Sequence, residues 1–111
     1  MHDLITITAR IDLVATRDGG RQKGIRSGYR PNHVFEKPLV AGKLTSYLGE
    51  IKFDDKETLE PGRSRVVRVQ FLKVPAVKRF MKPMRRWYLH EGTKLVGYGT
   101  ILEVKGEQES K

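Results

Sequence analysis

The lysines and arginines of this chain carry its most distinctive chemistry. Residues 73–94 contain seven of them with a single acid, Glu91, and aromatic side chains such as Trp87 and Tyr88 lie between them. Basic side chains bind phosphate oxygens, and an aromatic ring is able to stack on an unpaired base. The pattern therefore predicts a sequence-tolerant RNA-binding surface. Its basic residues are Lys73, Lys78, Arg79, Lys82, Arg85, Arg86 and Lys94.

A second basic group occupies a glycine-rich loop near the N-terminus and consists of Arg17, Arg21, Lys23, Arg26 and Arg30. If the fold brings both groups to one face, the resulting patch is large. For Arg30 we favour a structural role, because an arginine in a Tyr-Arg-Pro turn also suits bracing a loop through backbone carbonyls. The chain as a whole carries +9 with a pI near 10.0. Such a charge favours a polyanionic partner such as RNA, DNA or an acidic protein, and the alternative is a surface charge that serves solubility alone.

Groups that support catalysis or metal binding are scattered. The histidines His2, His33 and His90 lie far apart in the sequence and lack metal-ligand spacing, so we expect them at the surface by chance. The chain has no cysteine, which leaves no disulfide framework and no thiolate metal site. No Gly-x4-Gly-Lys-Ser/Thr loop is present to hold a nucleotide phosphate. We therefore predict no enzyme, no cofactor, no metal and no bound nucleotide.

Length and composition describe one globular domain. The chain has 111 residues, of which 38% are hydrophobic and 32% charged, enough for a single buried core. No apolar run approaches the roughly 20 residues that span a bilayer. The N-terminus lacks the basic and apolar regions of a signal peptide. A cytoplasmic location without a membrane partner is the expectation.

The hydrophobic pattern alternates with a period of two in several segments, which is typical of half-buried strands. Ile5, Ile7, Ala9 and Ile11 share one face of the first segment. Glycine and proline turns separate the segments, and together they predict an all-β barrel or sandwich. We assign residues 1–104 to this domain and residues 105–111 to a polar, frayed tail. The predicted strands are residues 4–16, 33–35, 40–53, 65–73, 87–89 and 94–104, the last two forming a hairpin around residues 91–93.

Residues 76–88 have a helical rather than a strand-like pattern. Their apolar residues repeat at helical spacing with basic residues opposite, as in a basic amphipathic helix. Pro83 lies in the middle and would cost a regular helix about 3 kcal/mol. We therefore expect a short helical turn up to Lys82 and a strand from Arg85, with one continuous helix as the alternative.

Four motifs occur in a recognisable order: Gly19-Gly20-Arg21, Gly28-Tyr29-Arg30-Pro31, Pro61-Gly62, and Glu91-Gly92 followed by Val96-Gly97-Tyr98-Gly99. In order and spacing they resemble the C-terminal β-barrel domain of elongation factor Tu, over roughly residues 4–104. The resemblance implies a six-stranded antiparallel β-barrel. In the full factor this domain packs on the GTPase domain and touches the T-stem backbone of aminoacyl-tRNA. Here we expect the barrel alone, as a standalone protein.

The resemblance carries over only some of the tRNA contacts. Arg21, Glu91 and Gly92 match family residues near the tRNA backbone, and Asn32 replaces a glutamine while keeping an amide. Gln22 and Ala41 depart from the histidine and the hydroxyl residue that the family has there. The segment after Pro75 runs longer than the family pattern, and the excess falls on residues 76–86. Trp87 aligns with a family aromatic residue, which implies a place in the core.

Two functions follow as hypotheses. The first is a non-catalytic module that binds tRNA-like or structured RNA. The alternative is a protein-interaction module that mimics the elongation factor barrel and docks on a translation-related partner, with the acids at residues 54–60 opposing the basic face. A weaker idea is that residues 76–88 bind an anionic membrane or an acidic helix. The predicted RNA-binding residues are Arg21, Lys23, Arg26, Arg30, Asn32, Lys78, Arg79, Lys82, Arg85, Arg86, Glu91 and Gly92.

Overall fold

Strands dominate the chain in the computed structural model, which describes residues 3–37 and 43–108. A 3-10 turn spans Thr16–Asp18, and the one short α-helix of the described residues, α1, spans Pro75–Lys78. The strands are β1 (Leu4–Leu13), β2 (Ile25–Arg26), β3 (Asn32–Val34), β4 (Gly49–Lys52), β5 (Thr58–Leu59), β6 (Ser64–Leu72), β7 (Arg86–Glu91) and β8 (Lys94–Gln108).

Six of the strands form one antiparallel sheet in the order β3-β7-β8-β1-β6-β4, and β2 pairs with β5 in a separate two-stranded ribbon. The sheet curls until its two edges meet. The backbone N–H of His33 in β3 donates to the Tyr47 carbonyl at 3.3 Å, and the Tyr47 N–H donates back at 2.9 Å. Closure of this kind removes unpaired sheet edges. The predicted all-β, six-stranded antiparallel β-barrel is confirmed.

The interior of the barrel is built from the alternating faces that the sequence indicated. Ile5, Ile7, Ala9 and Ile11 of β1 are all buried. On the neighbouring strand β6, buried residues alternate with outward-facing ones such as Arg68. Each large aliphatic side chain removed from water stabilises the fold by about 1.5–3 kcal/mol, which makes this face the main source of stability.

Aromatic side chains fill the end of the barrel beside α1. The Trp87 ring is fully buried, as the resemblance implied, and stacks on Phe35 with the ring centroids 5.5 Å apart. Phe35 in turn stacks on Phe80 at 4.8 Å. Gly99 lies opposite Trp87 on β8, and a Cβ atom there would come within 2.5 Å of the indole ring. The absence of a side chain at Gly99 therefore makes room for the tryptophan.

The position of His33 contradicts the prediction from the sequence. It was expected at the surface, but the ring is fully buried between Trp87 and β4. The Trp87 Nε1–H donates to His33 Nδ1 at 3.0 Å, so that the other nitrogen, Nε2, carries the proton and donates to the Gly49 carbonyl, also at 3.0 Å. The histidine thus joins strands on both sides of the closure. His90 is half-exposed, and His2 lies outside the described residues.

Burial lowers the pKa of His33 to about 4, because a charged imidazolium is disfavoured away from water, and the bond to Gly49 only partly opposes this effect. The ring is therefore neutral at physiological pH. In that state its two nitrogens match the two partners that the structure provides, one donor and one acceptor.

Several strand boundaries differ from the predicted ones. β1 ends at Leu13 because the chain turns into the 3-10 segment, whereas we expected a strand up to residue 16. β4 begins only at Gly49, and the start of the predicted strand 40–53 lies outside the described residues, as does Ala41. β8 continues beyond Val104, since the backbone at residue 107 still pairs with Ile5. The division into a domain and a tail at residue 105 stays a prediction.

Residues 76–88 do not form a continuous helix, and that alternative is wrong. α1 is a single turn with Pro75 at its start, and Pro83 lies in a later β-turn. β7 then begins at Arg86, one residue after the predicted position. A short helical turn followed by a strand is confirmed.

Candidate nucleic-acid interface

The basic cap, defined here as residues 75–86, closes the end of the barrel between β6 and β7. It contains no acidic residue. Its apolar side chains hold it on the barrel, because Val77 and Phe80 are buried and Met81 packs against the core. The amphipathic spacing in the sequence is thus satisfied within one turn of helix and the loop that follows. Its five cations are Lys78, Arg79, Lys82, Arg85 and Arg86.

Contacts with the barrel fix the arginines of the basic cap. Arg85 donates from Nη2 to the Phe35 carbonyl at 2.6 Å, and its guanidinium lies 5.0 Å from the centre of the Phe80 ring. The guanidinium of Arg79 lies 4.6 Å from the centre of the same ring, and Arg79 also pairs with Glu36 at 2.9 Å. Such cation–π contacts hold a guanidinium in place while its charge stays available to a ligand.

Part of the positive charge of the basic cap has no acidic partner among the residues that the structure describes. Lys82 is exposed and makes no ion pair with any other residue in the described part of the chain. Arg86 lies over the Tyr98 ring at 5.5 Å, and it too is without a carboxylate partner within residues 3–37 and 43–108. Arg79, by contrast, is paired with the carboxylate of Glu36. The surface of the cap therefore keeps a concentrated positive potential.

A second polar site, the hairpin cluster, consists of Arg21, Tyr29 and Glu91. Arg21 forms an ion pair with Glu91, and the Tyr29 hydroxyl donates to the same carboxylate oxygen at 2.6 Å. The Arg21 guanidinium also lies 5.0 Å from the centre of the Tyr29 ring. Burial raises the pKa of Tyr29, and the bond to Glu91 and its negative charge raise that pKa further, against the opposing effect of Arg21.

The hairpin cluster explains why the Gly-Tyr-Arg-Pro and Glu-Gly motifs occur together. Tyr29 belongs to the first motif and Glu91 to the second, and their hydrogen bond ties the N-terminal loop to the β7–β8 turn. The sequence predicted RNA contacts at Arg21 and Glu91 but did not indicate Tyr29 as their partner. The sequence signal for this contact was the joint occurrence of the two motifs, although some sixty residues separate Tyr29 from Glu91.

The remaining predicted site residues are dispersed. Arg30 pairs with the Glu50 carboxylate at 3.2 Å, which is a bracing role through a side chain rather than through backbone carbonyls. Arg26 instead donates to the backbone carbonyl of Asp55 at 3.0 Å. The other three residues lie at exposed positions, namely Lys23 in the N-terminal loop, Asn32 on β3 and Gly92 in the β7–β8 turn.

The basic cap and the hairpin cluster lie at opposite ends of β7. The cap leads into Arg86 at the start of the strand, and Glu91 stands at its end. Five residues of strand at about 3.3 Å each separate the two sites by about 17 Å. The two basic groups of the sequence therefore do not merge into one patch around a single barrel end.

A model of the elongation factor Tu C-terminal domain matches residues 2–105. The chain belongs to this family. The match covers the first seven strands and β8 as far as residue 105, which is nearly the whole sheet. Membership in the elongation factor Tu C-terminal domain family makes the molecule a β-barrel module of the translation-factor type.

No helix in the described part of the chain is long and apolar enough to cross a membrane. Within residues 3–37 and 43–108, histidines and carboxylates do not gather in groups of three that would hold a metal ion. The absence of enzymatic activity and the cytoplasmic location stay predictions.

Proposed function

We propose that this elongation factor Tu-like barrel is an RNA-binding module whose main contact surface is the basic cap. The observation that carries the proposal is the charge of the cap: five cations and no acid in twelve residues, with Lys82 and Arg86 unpaired within the described part of the chain. RNA presents a regular array of phosphates, and lysines and arginines that replace its counterions gain affinity in low salt. A fixed guanidinium adds directional hydrogen bonds to phosphate oxygens.

This surface is distinct from the one that the family resemblance implies. The family-matched residues Arg21 and Glu91 bind each other in the hairpin cluster, so an RNA phosphate would have to compete with a carboxylate for Arg21. Within the described part of the chain, Lys82 and Arg86 of the cap face no such competition from a carboxylate. Under this proposal the residues of the N-terminal loop, Lys23 among them, contribute a smaller and separate contact.

The test compares charge reversals at the two ends of the barrel. Lys82→Glu with Arg86→Glu changes the cap, and Lys23→Glu with Lys94→Glu makes the same change in net charge near the hairpin cluster. We expect the cap variant to bind folded tRNA at least about tenfold more weakly than the wild-type chain. Its salt dependence should become shallower by about 1.5 in log–log slope, because about 0.7–0.9 is lost for each phosphate contact removed.

The control pair separates a local site from general attraction. If the variant with Lys23→Glu and Lys94→Glu loses as much affinity as the cap variant, binding follows net charge and the basic cap is not the site. If the wild-type chain fails to bind any RNA at low salt, RNA binding itself is refuted.

A second candidate function is docking on a translation-related protein. One observation favours it: the Leu48 side chain is 70% exposed beside Leu4 and Leu72 on the outside of the barrel, with Arg30 and Glu50 at the rim. An exposed apolar group rimmed by charges is typical of protein contacts. Recovery of one specific protein from a nuclease-treated lysate, lost on Leu48→Ser, would support this candidate, and unchanged recovery by that variant would oppose it.

A further inference from the structure

The backbone of the basic cap has an unusual conformation at Met84. Among the described residues, Met84 is the one non-glycine with a positive φ, at 71°. It occupies the third position of a β-turn from Lys82 to Arg85, in which the Arg85 N–H donates to the Lys82 carbonyl at 3.2 Å. Proline at the second position and a positive φ at the third are the pattern of a type II turn, where glycine or asparagine normally stands at the third position. Methionine here is strained.

The surrounding structure holds Met84 in this conformation without burying its side chain. The Met84 N–H donates to the Ile101 carbonyl of β8 at 2.7 Å, and the Ile101 N–H donates to the Arg85 carbonyl at 2.9 Å. These bonds fix the backbone at Met84 and Arg85, the last two residues of the turn. The methionine side chain is nevertheless 73% exposed. Because neither packing nor backbone preference favours methionine at this position, its presence points to a contact outside the molecule.

We propose that Met84 is an apolar contact for an unpaired nucleobase at the centre of the basic cap. The inference rests on the proposed RNA-binding function and names the part of the RNA that the cap reads. The thioether side chain is flexible and polarisable and packs well against the face of an aromatic ring. Lys82 and Arg86 on either side would bind the phosphates that flank this base, so the cap would favour loops and single strands over duplex RNA.

The same exposed methionine is a poor membrane anchor. Of the large apolar side chains that the structure describes as exposed, only Met84 lies in the basic cap. Interfacial binding requires a continuous apolar face of several side chains, whereas one side chain is enough to cover one base. The observations therefore favour RNA over a lipid surface.

The experiment uses the full chain and two RNA probes, a hairpin with an unpaired loop and a blunt duplex of equal length. We expect Met84→Gly to weaken binding to the hairpin about tenfold and to leave duplex binding within twofold. Met84→Leu, which keeps an apolar side chain, should retain hairpin affinity. The Tm of Met84→Gly should be equal to or above that of the wild-type chain, because glycine relieves the strain.

The outcomes separate this inference from the proposed function. If Met84→Gly binds the hairpin within twofold of wild type while Lys82→Glu with Arg86→Glu still binds weakly, the nucleobase contact is overturned and RNA binding stands. If the wild-type chain binds neither probe, both fail. Binding to vesicles of phosphatidylcholine and phosphatidylserine that Met84→Gly abolishes, with hairpin affinity unchanged, would also overturn it. Met84→Asn, which tolerates positive φ, replaces the glycine variant should that variant fold poorly.

Discussion

Acidification should destabilise this barrel through a single buried histidine. The free imidazole has a pKa of 6.5, and burial lowers the pKa of His33 to about 4 in the folded protein. Between these two values the unfolded chain binds a proton that the folded chain does not. Stability from this group is therefore complete above pH 6.5 and is lost as the pH falls towards 4.

The expected loss follows from the size of the pKa difference. One pKa unit corresponds to 1.36 kcal/mol, so His33 alone should remove about 3 kcal/mol from the free energy of unfolding between pH 7.5 and pH 4. Protonation also has a structural cost, because Nδ1 then carries a hydrogen and no longer accepts the bond from Trp87. The expected loss of about 3 kcal/mol is a large fraction of the roughly 5–15 kcal/mol by which domains are typically stable.

Urea unfolding at a series of pH values measures this effect directly. Trp87 is the one tryptophan of the chain and is fully buried, so its fluorescence reports loss of the core around His33. His33→Gln keeps an amide donor and acceptor but does not titrate. The difference in unfolding free energy between the wild-type chain and this variant should shrink by about 3 kcal/mol from pH 7.5 to pH 4.

A control histidine and a clear refutation complete the design. His90→Gln removes the half-exposed histidine of β7 and should leave the His33-dependent part of the pH profile in place. If the difference between wild type and His33→Gln is constant within about 0.5 kcal/mol across the pH range, His33 does not resist protonation. In that case burial does not keep the His33 ring neutral.

Three further predictions concern other parts of the molecule. Tyr29→Phe removes the hydrogen bond to the Glu91 carboxylate and should lower the free energy of unfolding in urea by about 1.5 kcal/mol. The control Tyr98→Phe should change that free energy little, because the Tyr98 hydroxyl has no hydrogen bond to a described residue. Equal effects of the two variants would contradict the role of the hairpin cluster. Gly99→Ala places a methyl group against the Trp87 ring and should cost about 1–3 kcal/mol, so an unchanged unfolding midpoint would refute the close approach. Removing the basic cap's charge should flatten the salt dependence of RNA affinity, and an unaltered slope in the cap variant would refute phosphate contact there.

Local pattern alone predicted much of the fold. The alternation of Ile5, Ile7, Ala9 and Ile11 identified the inward face of β1, since side chains alternate across any strand whatever its partners are. Pro83 predicted the end of helical structure because proline cannot donate the backbone bond that a helix requires. The four motifs located the family and hence the barrel. These features depend on residues close together in the chain or on a signature already known from other proteins.

The positions of the candidate site residues were less predictable. The basic cap was identified from charge, but the strain at Met84 was not, since the backbone at Met84 and Arg85 is held by Ile101 on β8. The pairing of Arg21 with Glu91 was likewise missed. Both features depend on which strands become neighbours in the sheet. The residue pattern within a single segment does not specify those neighbours.

The amino-acid sequence by itself determined the net charge, the concentration of cations in residues 75–86 and the strand-forming periodicity, because these follow from composition and from neighbours along the chain. Tertiary structure alone decided the burial of His33 and the distance between the two basic groups. Closing the sheet brings β3 against the segment before β4 and seals the histidine inside, while β7 holds the basic cap and the hairpin cluster at opposite ends. The electrostatic environment of a group depends on what surrounds it in space, and only the folded barrel specifies those surroundings.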